Sequence, residues 1–227
     1  MNQAEITFQN KKICGIWREE ADESVWFEIF KYGEYRAADE AIRQATTIFD
    51  IGAHAGFFTL YARAINPKAQ IVCVEPDENN IEAINQNLKF NNMQSKVKII
   101  PGALVSEQGD YILEISKDSH NHKVVKKDQK IKGRTIVGYK LSDLIAESGV
   151  KVVDLLKMDI EGAEVGIIEA WNKSDWSVLR NIVLEYHGGN RPKTKIEKIL
   201  REHGFSVRLF PSKFDKTMGI VFGRRKG

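Results

Sequence analysis

Residues 47–65 constrain the fold most, because a short apolar run there breaks into a glycine turn and then into a helix-like segment. The run TIFDI is rich in β-branched and aromatic residues and predicts a strand. GAHAG follows it, and FFTLYARAI then carries apolar residues at helical spacing until Asn66-Pro67 ends the helix. A strand that turns directly into a helix is the building unit of α/β proteins.

The same alternation of strands and helices continues to the end of the chain. Strands are predicted at residues 70–75, 96–100, 152–159, 181–187, 205–210 and 219–223. Amphipathic helices are predicted after Pro76-Asp77 and at residues 141–149, 163–171 and 192–203. We therefore predict an α/β fold with a mostly parallel sheet, helices on both of its faces and a C-terminal antiparallel hairpin.

Composition places the chain among ordinary globular proteins. Its 227 residues are 42% hydrophobic and 29% charged, and a net charge of +3 is too balanced to require a polyanionic partner. Cys14 and Cys73 lie far apart, so no disulfide framework is indicated. The first residues lack the apolar core of a signal peptide, and no apolar run approaches the ~20 residues that span a bilayer. We expect a cytoplasmic protein without a membrane partner, and the sequence indicates no particular oligomeric state.

The domain organisation is predicted to be simple. Residues 1–45 are interpreted as an N-terminal extension that begins with a small hairpin, and residues 46–227 as one domain. Within that domain, residues 111–140 are polar and basic, with short β-like pieces and no helical period. We interpret them as an insertion on the substrate side of the sheet.

The glycine turn indicates a particular class of ligand. It comprises Asp50, Gly52, Ala53, His54 and Gly56, at a helix start where backbone N–H groups face a ligand. The turn lacks the middle glycine of a dinucleotide fingerprint and the Gly-Lys-Ser/Thr of a Walker loop, which disfavours NAD and ATP. Glu75 ends the next strand, where a carboxylate accepts both hydrogen bonds of a ribose diol. An amino-acid tail, a ribose and no phosphate describe S-adenosylmethionine, which we predict as the cofactor.

A second group of polar residues follows two later strands. Asp159, Glu161 and Glu164 come after the strand at 152–159, and Glu185 and His187 close the strand at 181–187. The carboxyl ends of neighbouring parallel strands form the crevice in which open α/β sheets bind ligands. We predict that Asp159, Glu161 and His187 are catalytic, whereas Glu164 stabilises the N-terminus of the next helix.

These motifs resemble the FkbM family of S-adenosylmethionine-dependent methyltransferases. FDIGAHAGFFT, VEPDENN, LLKMDIEGAE and VLEYH occur in the family's order from about residue 34 onward, and DIEGAE is the most specific of them. The resemblance implies a class I, Rossmann-like domain with a seven-stranded sheet. It further implies transfer of a methyl group to a hydroxyl oxygen, often on a sugar or another small molecule. The cofactor site that it implies comprises Asp50, Gly52, Gly56, Glu75 with Pro76, and the Gly102-Ala103 turn.

A hydroxyl acceptor needs a group that removes its proton. We expect His187 or Asp159 to act as the general base, with Glu161 orienting the acceptor or the base. Alternatively, Asp159, Glu185 and His187 hold a divalent cation that lowers the pKa of the acceptor; this is less favoured, because metal-ligand spacing motifs are missing.

Two other functions remain open at this stage. A nucleic-acid methyltransferase is the first, less favoured because the acidic DIEGAE segment would repel phosphates. The basic residues that favour it are Lys123, Lys126, Lys127, Lys130, Lys132, Arg134, Arg224, Arg225 and Lys226. A non-catalytic module that binds the cofactor is the second, and the carboxylate cluster argues against it.

Overall fold

The computed structural model describes residues 2–114, 123–127 and 132–226. The strands are β1 (Asn2–Phe8), β2 (Lys11–Trp17), β3 (Thr47–Ile51), β4 (Gln70–Glu75), β5 (Val97–Pro101), β6 (Ala103–Leu104), β7 (Gly109–Glu114), β8 (Lys123–Lys126), β9 (Arg134–Tyr139), β10 (Val153–Met158), β11 (Leu179–Tyr186), β12 (Phe205–Pro211) and β13 (Gly219–Arg225). The helices are α1 (Glu20–Phe27), α2 (Asp39–Gln44), α3 (Phe57–Ile65), α4 (Glu78–Phe90), α5 (Leu141–Ser148), α6 (Glu164–Ala170), α7 (Lys173–Ser177) and α8 (Asn190–Glu202).

A seven-stranded sheet in the order β12-β13-β11-β10-β3-β4-β5 forms the centre of the molecule. Its strands from β11 to β5 are parallel, and β13 runs antiparallel to both β11 and β12. This confirms the predicted α/β class, the mostly parallel sheet and the C-terminal hairpin. The chain moves outward from β3 to β5 and then resumes at β10 on the other side of β3, so strand order reverses between β3 and β10.

Alternating side chains of the strands feed two hydrophobic cores, one on each face of the sheet. Leu155 and Val183 pack with α2, α3 and α4 on one face, whereas Leu156 and Leu184 pack with α5 to α8 on the other. Both faces are therefore covered by helices, as the near-continuous apolar strands predict. Phe57 at the start of α3 is buried in the first core, where it packs edge-on against Trp26.

The N-terminal segment contributes to the first core. After the hairpin of β1 and β2, whose turn has positive φ at both Gln9 and Asn10, the chain forms α1, a π-helical turn at Glu28–Tyr32 and a 3-10 turn at Glu34–Ala38. These helical elements occupy residues for which the sequence pattern was ambiguous. Trp26 is almost fully buried, and a Cβ at Gly15 would overlap its ring.

Asn87 of α4 and Asn91, which caps the C-terminus of that helix, fasten β2 to the domain. The side chain of Asn91 accepts a hydrogen bond from the backbone N of Cys14 (2.8 Å) and donates to its oxygen (2.7 Å). Asn87 pairs with the backbone of Ile16 in the same way, at 2.8 and 3.1 Å. Each amide side chain thus replaces a neighbouring strand, which satisfies backbone groups of β2 that would otherwise be unpaired.

The predicted insertion belongs to a second, four-stranded sheet of order β6-β9-β7-β8. The first strand of this segment, β7, begins at Gly109, two residues before the predicted start at residue 111. The short strand β6, which follows β5 in the chain, also belongs to this sheet, because it pairs with β9. Strands β7 to β9 account for the short β-like pieces seen in the sequence. No helix in the described parts of the chain is long and apolar enough to cross a membrane.

Candidate active site

The carboxyl ends of β3 and β10 meet where strand order reverses, the position at which open α/β sheets bind ligands. The turn after β3 is tied to β4, because the backbone N of Gly52 and that of Ala53 both donate to the oxygen of Val74, at 3.0 and 3.2 Å. Gly52 has a φ of +69°, and a Cβ there would overlap the backbone oxygen of Asp159. Only glycine fits this position.

A cavity of about 400 Å³ opens at this point, a size that suits a small-molecule site. Its wall includes these residues predicted to bind the cofactor: Gly52, Ala53, His54, Glu75, Pro76, Gly102 and Ala103. Asp159 and Glu161 line the same cavity. The structure therefore places members of both predicted groups around one cavity, whereas Glu164, Glu185 and His187 lie outside its wall.

Asp50 and Gly56 lie outside the wall of this cavity. Asp50 is fully buried beneath it, where one carboxylate oxygen accepts a hydrogen bond from Thr59 (2.7 Å) and the other lies 3.3 Å from Nζ of Lys157. Gly56 caps α3 with a φ of +80°, and a Cβ there would meet Ile84 at 3.3 Å. Both residues therefore support the glycine turn from the side away from the cavity.

Glu75 is a buried carboxylate that is held by its neighbours. Oε2 accepts a hydrogen bond from the backbone N of His54 (2.8 Å), and Oε1 accepts from the backbone N of Asp77 (3.0 Å) and from Nδ2 of Asn80 (3.1 Å). Each carboxylate oxygen has two acceptor sites, so Oε2 retains one for a further donor. This arrangement fixes the orientation of Glu75 at the cavity wall.

His187 lies at the centre of the acidic group. Its Nε2 atom is 3.7 Å from Glu161, 3.9 Å from Asp159 and 4.0 Å from Glu185, and its Nδ1 atom is 3.4 Å from Glu164. Burial alone would lower the pKa of His187, but the Glu164 hydrogen bond and the surrounding negative charges outweigh it and raise the pKa to about 9. The imidazole is therefore a cation at neutral pH.

The acids around His187 hold their protons more strongly than ordinary carboxylates do. Burial, followed by the charge of Asp159, raises the pKa of Glu161 to about 7. Burial, followed by the charges of Glu28 and Asp159, raises the pKa of Glu34 to about 7 as well. The pKa of Glu185 is raised by its burial and by Asp159 and Glu34. Perturbed carboxyl groups beside a cavity are typical of functional sites.

Lys157 is a buried site residue to which the sequence analysis gave no role. Its Nζ atom donates to the backbone oxygen of Gly52 (2.7 Å) and lies 3.3 Å from Asp50 and 4.0 Å from Asp159. Burial would lower the pKa of Lys157, but the charges of Asp50 and Asp159 raise it, so the group stays a cation. A lysine between the apolar residues Leu156 and Met158 was the available signal.

Glu164 has a local structural contact as well as its contact with His187. Its Oε1 atom accepts hydrogen bonds from the backbone N of Ile160 (3.1 Å) and of Gly162 (3.2 Å), just before α6 begins. Backbone donors ahead of a helix need such acceptors. This agrees with the role predicted for Glu164.

The wall of the cavity also includes residues that sequence reasoning missed. The N-terminal segment supplies Val25, Ile29 and Tyr35, and the second sheet supplies Leu113, Val124 and Val125. Phe57 and Phe58 are almost fully buried and also line the cavity. The wall of the cavity is thus acidic at Asp159 and Glu161 and apolar at these added residues.

Asp159, Glu161 and His187 also have the chemistry of a metal site. Each offers one ligand atom, and these atoms lie within 4.8 Å of one another. A histidine with two carboxylates suits a divalent transition metal. These residues fit a metal site, but Glu161 takes the place that the predicted metal alternative gave to Glu185.

Three basic residues in and beside the second sheet pair with acids. Lys126 lies 2.7 Å from Glu107, Lys127 lies 3.4 Å from Asp110, and Arg134 lies between Asp77 and Glu78. Arg224 and Arg225 bond to Asn181 and to the backbone of Leu179, respectively, at the sheet edge. Lys130 is outside the described residues. Because these charges are paired, they weaken the positive electrostatic field that would attract the phosphate backbone of a nucleic acid.

Known proteins resemble the chain over most of its length. The model of the methyltransferase FkbM domain matches residues 50–207. The methyltransferase sdnD of Sordaria araneosa is 28% identical over 190 residues, 70% of this chain and 73% of that protein. The 31-O-demethyl-FK506 methyltransferase FkbM of Streptomyces tacrolimicus is 25% identical over 210 residues, 79% of this chain and 80% of that protein.

A solved structure supports the fold independently. The precorrin-6y C5,15-methyltransferase of Geobacter metallireducens GS-15 has a TM-score of 0.52, covering 86% of this chain and 89% of its own, at 16% identity. That likeness concerns the fold alone. The family match, in contrast, spans both the glycine turn and the acidic DIEGAE segment. The chain therefore belongs to the FkbM methyltransferase family.

Proposed function

We propose that the chain transfers a methyl group from S-adenosylmethionine to a hydroxyl oxygen of a small molecule or sugar. The observation that carries this proposal is that one cavity is lined both by the glycine turn with Glu75 and by Asp159 with Glu161. A methyl donor and an acceptor bound in one space need no further rearrangement to react.

The cofactor end of the cavity fits a sulfur nucleoside. Glu75 is fixed by three hydrogen bonds, and its Oε2 atom retains one acceptor site for a ribose hydroxyl. Gly52, Ala53 and His54 of the turn line the cavity, and Gly52 leaves room for the backbone oxygen of Asp159 to pack against the turn. Pro76, Gly102 and Ala103 supply the wall beside Glu75. When bound, S-adenosylmethionine supplies an electrophilic methyl group on a sulfonium.

At the acceptor end, we assign the proton transfer to Glu161. With a pKa of about 9, His187 is already protonated at pH 7, and it lies outside the cavity wall, so its positive charge acts on Glu161, 3.7 Å away, rather than directly on the acceptor. Glu161, with a pKa of about 7, is close to the value at which a general base works best at neutral pH. Asp159 and Lys157 position this pair from the end of β10.

Two observations support a small hydroxylated acceptor. The cavity wall is apolar at Val25, Ile29 and Val124, which suits a compact organic molecule. The relative from Streptomyces tacrolimicus is named for methylation at an oxygen. The acid-paired lysines of the second sheet favour a nucleic acid less. Methyl transfer to tRNA or rRNA that falls steeply with added salt would reverse this choice.

The cofactor is tested by thermal unfolding of the purified protein with S-adenosylmethionine, S-adenosylhomocysteine, NAD or ATP. We expect only the two sulfur nucleosides to stabilise it, by ~2.7 kcal/mol at 100 times the dissociation constant. Glu75→Ala should remove ~1.5–3 kcal/mol of the binding free energy, because a charged hydrogen-bond acceptor is lost. Glu78→Ala, a change in an exposed acid three residues away, is the control.

Other outcomes of this experiment have definite meanings. Stabilisation by NAD, or by none of the four compounds, would contradict the proposed cofactor. Tight binding of both sulfur nucleosides without turnover on any acceptor would instead indicate a non-catalytic module. Loss of transfer in EDTA, restored by magnesium, would show that Asp159, Glu161 and His187 act through a metal ion.

A further inference from the structure

Five side chains form a closed ring of contacts around the cofactor end of the cavity. Starting from Glu75, the ring passes through Asn80 (3.1 Å), Arg18 (2.8 Å), Asp22 (2.9–3.0 Å) and His54 (3.0 Å). It closes through the backbone N of His54, which donates to Glu75 at 2.8 Å. We call these five residues the clamp ring.

Asp22 is the most enclosed member of the clamp ring. It is fully buried and receives three hydrogen bonds from Arg18, through its backbone N, Nε and Nη2, in addition to its contact with Nε2 of His54. Burial would raise the pKa of Asp22, but these partners hold it well below its usual value. Asp22 is therefore a permanent anion, and a paired charge of this kind costs much if one partner is removed.

The clamp ring joins parts of the chain that are far apart in sequence. Arg18 and Asp22 belong to the N-terminal segment, outside the residues 50–207 that match the family. His54 lies in the glycine turn, Glu75 ends β4 and Asn80 lies in the first turn of α4. His54 has a φ of +50°, a left-handed conformation that a residue with a Cβ adopts at a cost. The contact between its imidazole and Asp22 holds His54 in that backbone conformation.

We propose that Arg18 and Asp22 are positioning residues of the cofactor site: through His54 and Asn80 they fix the carboxylate of Glu75 for the ribose. Neither residue appears in the cavity wall, so both act through the residues that they hold. This inference rests on the proposed cofactor site. It means that the N-terminal segment completes a site whose other parts belong to the family domain.

The test compares Asp22→Asn with the wild type in isothermal titration with S-adenosylhomocysteine and in steady-state kinetics. Asparagine keeps the size of the side chain but supplies one acceptor oxygen where Arg18 and His54 use two. We expect the dissociation constant to rise about tenfold or more, and KM for S-adenosylmethionine to rise with kcat nearly unchanged.

Asn91→Ala is the matched control. Asn91 also fastens the N-terminal segment to α4, but it lies outside both the clamp ring and the cavity wall. Both variants should lower the unfolding temperature, and only Asp22→Asn should weaken cofactor binding. Equal losses of affinity in the two variants, or none in either, would overturn the inference, because Asp22 would then have a purely structural role.

A double-mutant cycle makes the test independent of stability. If Asp22 acts through Glu75, Asp22→Asn should weaken binding much less in a Glu75→Gln background than in the wild type. Fully additive effects would contradict positioning through the ring. Failure of the wild type to bind S-adenosylhomocysteine would instead refute the proposed cofactor, so the two failures are distinguishable.

Discussion

Glu161→Gln should lower kcat by about 10²–10⁴, the usual contribution of a general base. The amide has the size of the carboxyl group but accepts no proton at neutral pH. In the wild type, the raised pKa of Glu161 leaves the group protonated and inactive below about pH 7. The rate should therefore rise with pH through about 7 and then level off, and this rise should be absent in Glu161→Gln. Release of S-adenosylhomocysteine measures the rate, with the best acceptor from a panel of hydroxylated sugars and phenols.

His187 provides the discriminating comparison for this prediction. Its positive charge lowers the pKa of Glu161, so His187→Gln should move the rise in rate to a higher pH. Glu169→Gln, a change in an exposed acid of α6 that pairs with Lys195, should leave the profile unchanged. A wild-type profile that rises only near pH 9, and whose rise disappears in His187→Gln, would assign the base to His187 instead.

Gly52→Ala should destabilise the fold by about 3–5 kcal/mol and abolish cofactor binding. The introduced alanine would adopt an unfavourable left-handed backbone conformation, and its methyl group would overlap the backbone oxygen of Asp159. Relief requires β3 and β10 to separate, and this separation would displace both the glycine turn and Asp159. Urea unfolding measures the stability, and titration with S-adenosylhomocysteine measures the affinity.

Gly149→Ala isolates the effect of the overlap. Gly149 ends α5 with a φ of +73°, close to the +69° of Gly52, but a Cβ there meets nothing within 4 Å. It should cost only about 1–2 kcal/mol, the penalty of the backbone conformation, and leave cofactor affinity unchanged. Similar losses in both variants would mean that Gly52 matters for its φ angle rather than for the contact between the two strands.

The sequence predicted the central sheet well because its signals are local. The run at β3 and the acid at the end of β4 were visible as short patterns, and strand ends in a parallel sheet necessarily meet at one edge. For the same reason, the sequence predicted that Asp159, Glu161 and His187 lie close together, as they do in the structure. These predictions rest on the alternation of side chains along strands and on the helical spacing of apolar residues.

The N-terminal contributions to the site were not predictable in this way. Asp22 lies 32 positions before His54, and nothing in the local pattern indicates that the two side chains meet. Tyr35 and Ile29 reach the cavity through a π-helical turn and a 3-10 turn, irregular elements without a clear period. Such contacts follow from tertiary packing, and only the structure shows them.

The position of β13 has a consequence for the order in which the molecule assembles during synthesis. It lies between β11 and β12, although both of those strands precede it in the chain. Strand β12 therefore has no partner in the sheet until residues 219–225 have left the ribosome. Helix α8 packs against β12, so its packing is also incomplete until then. The half of the sheet that holds the glycine turn is complete much earlier, so we expect the cofactor end to form first and the acceptor end to follow.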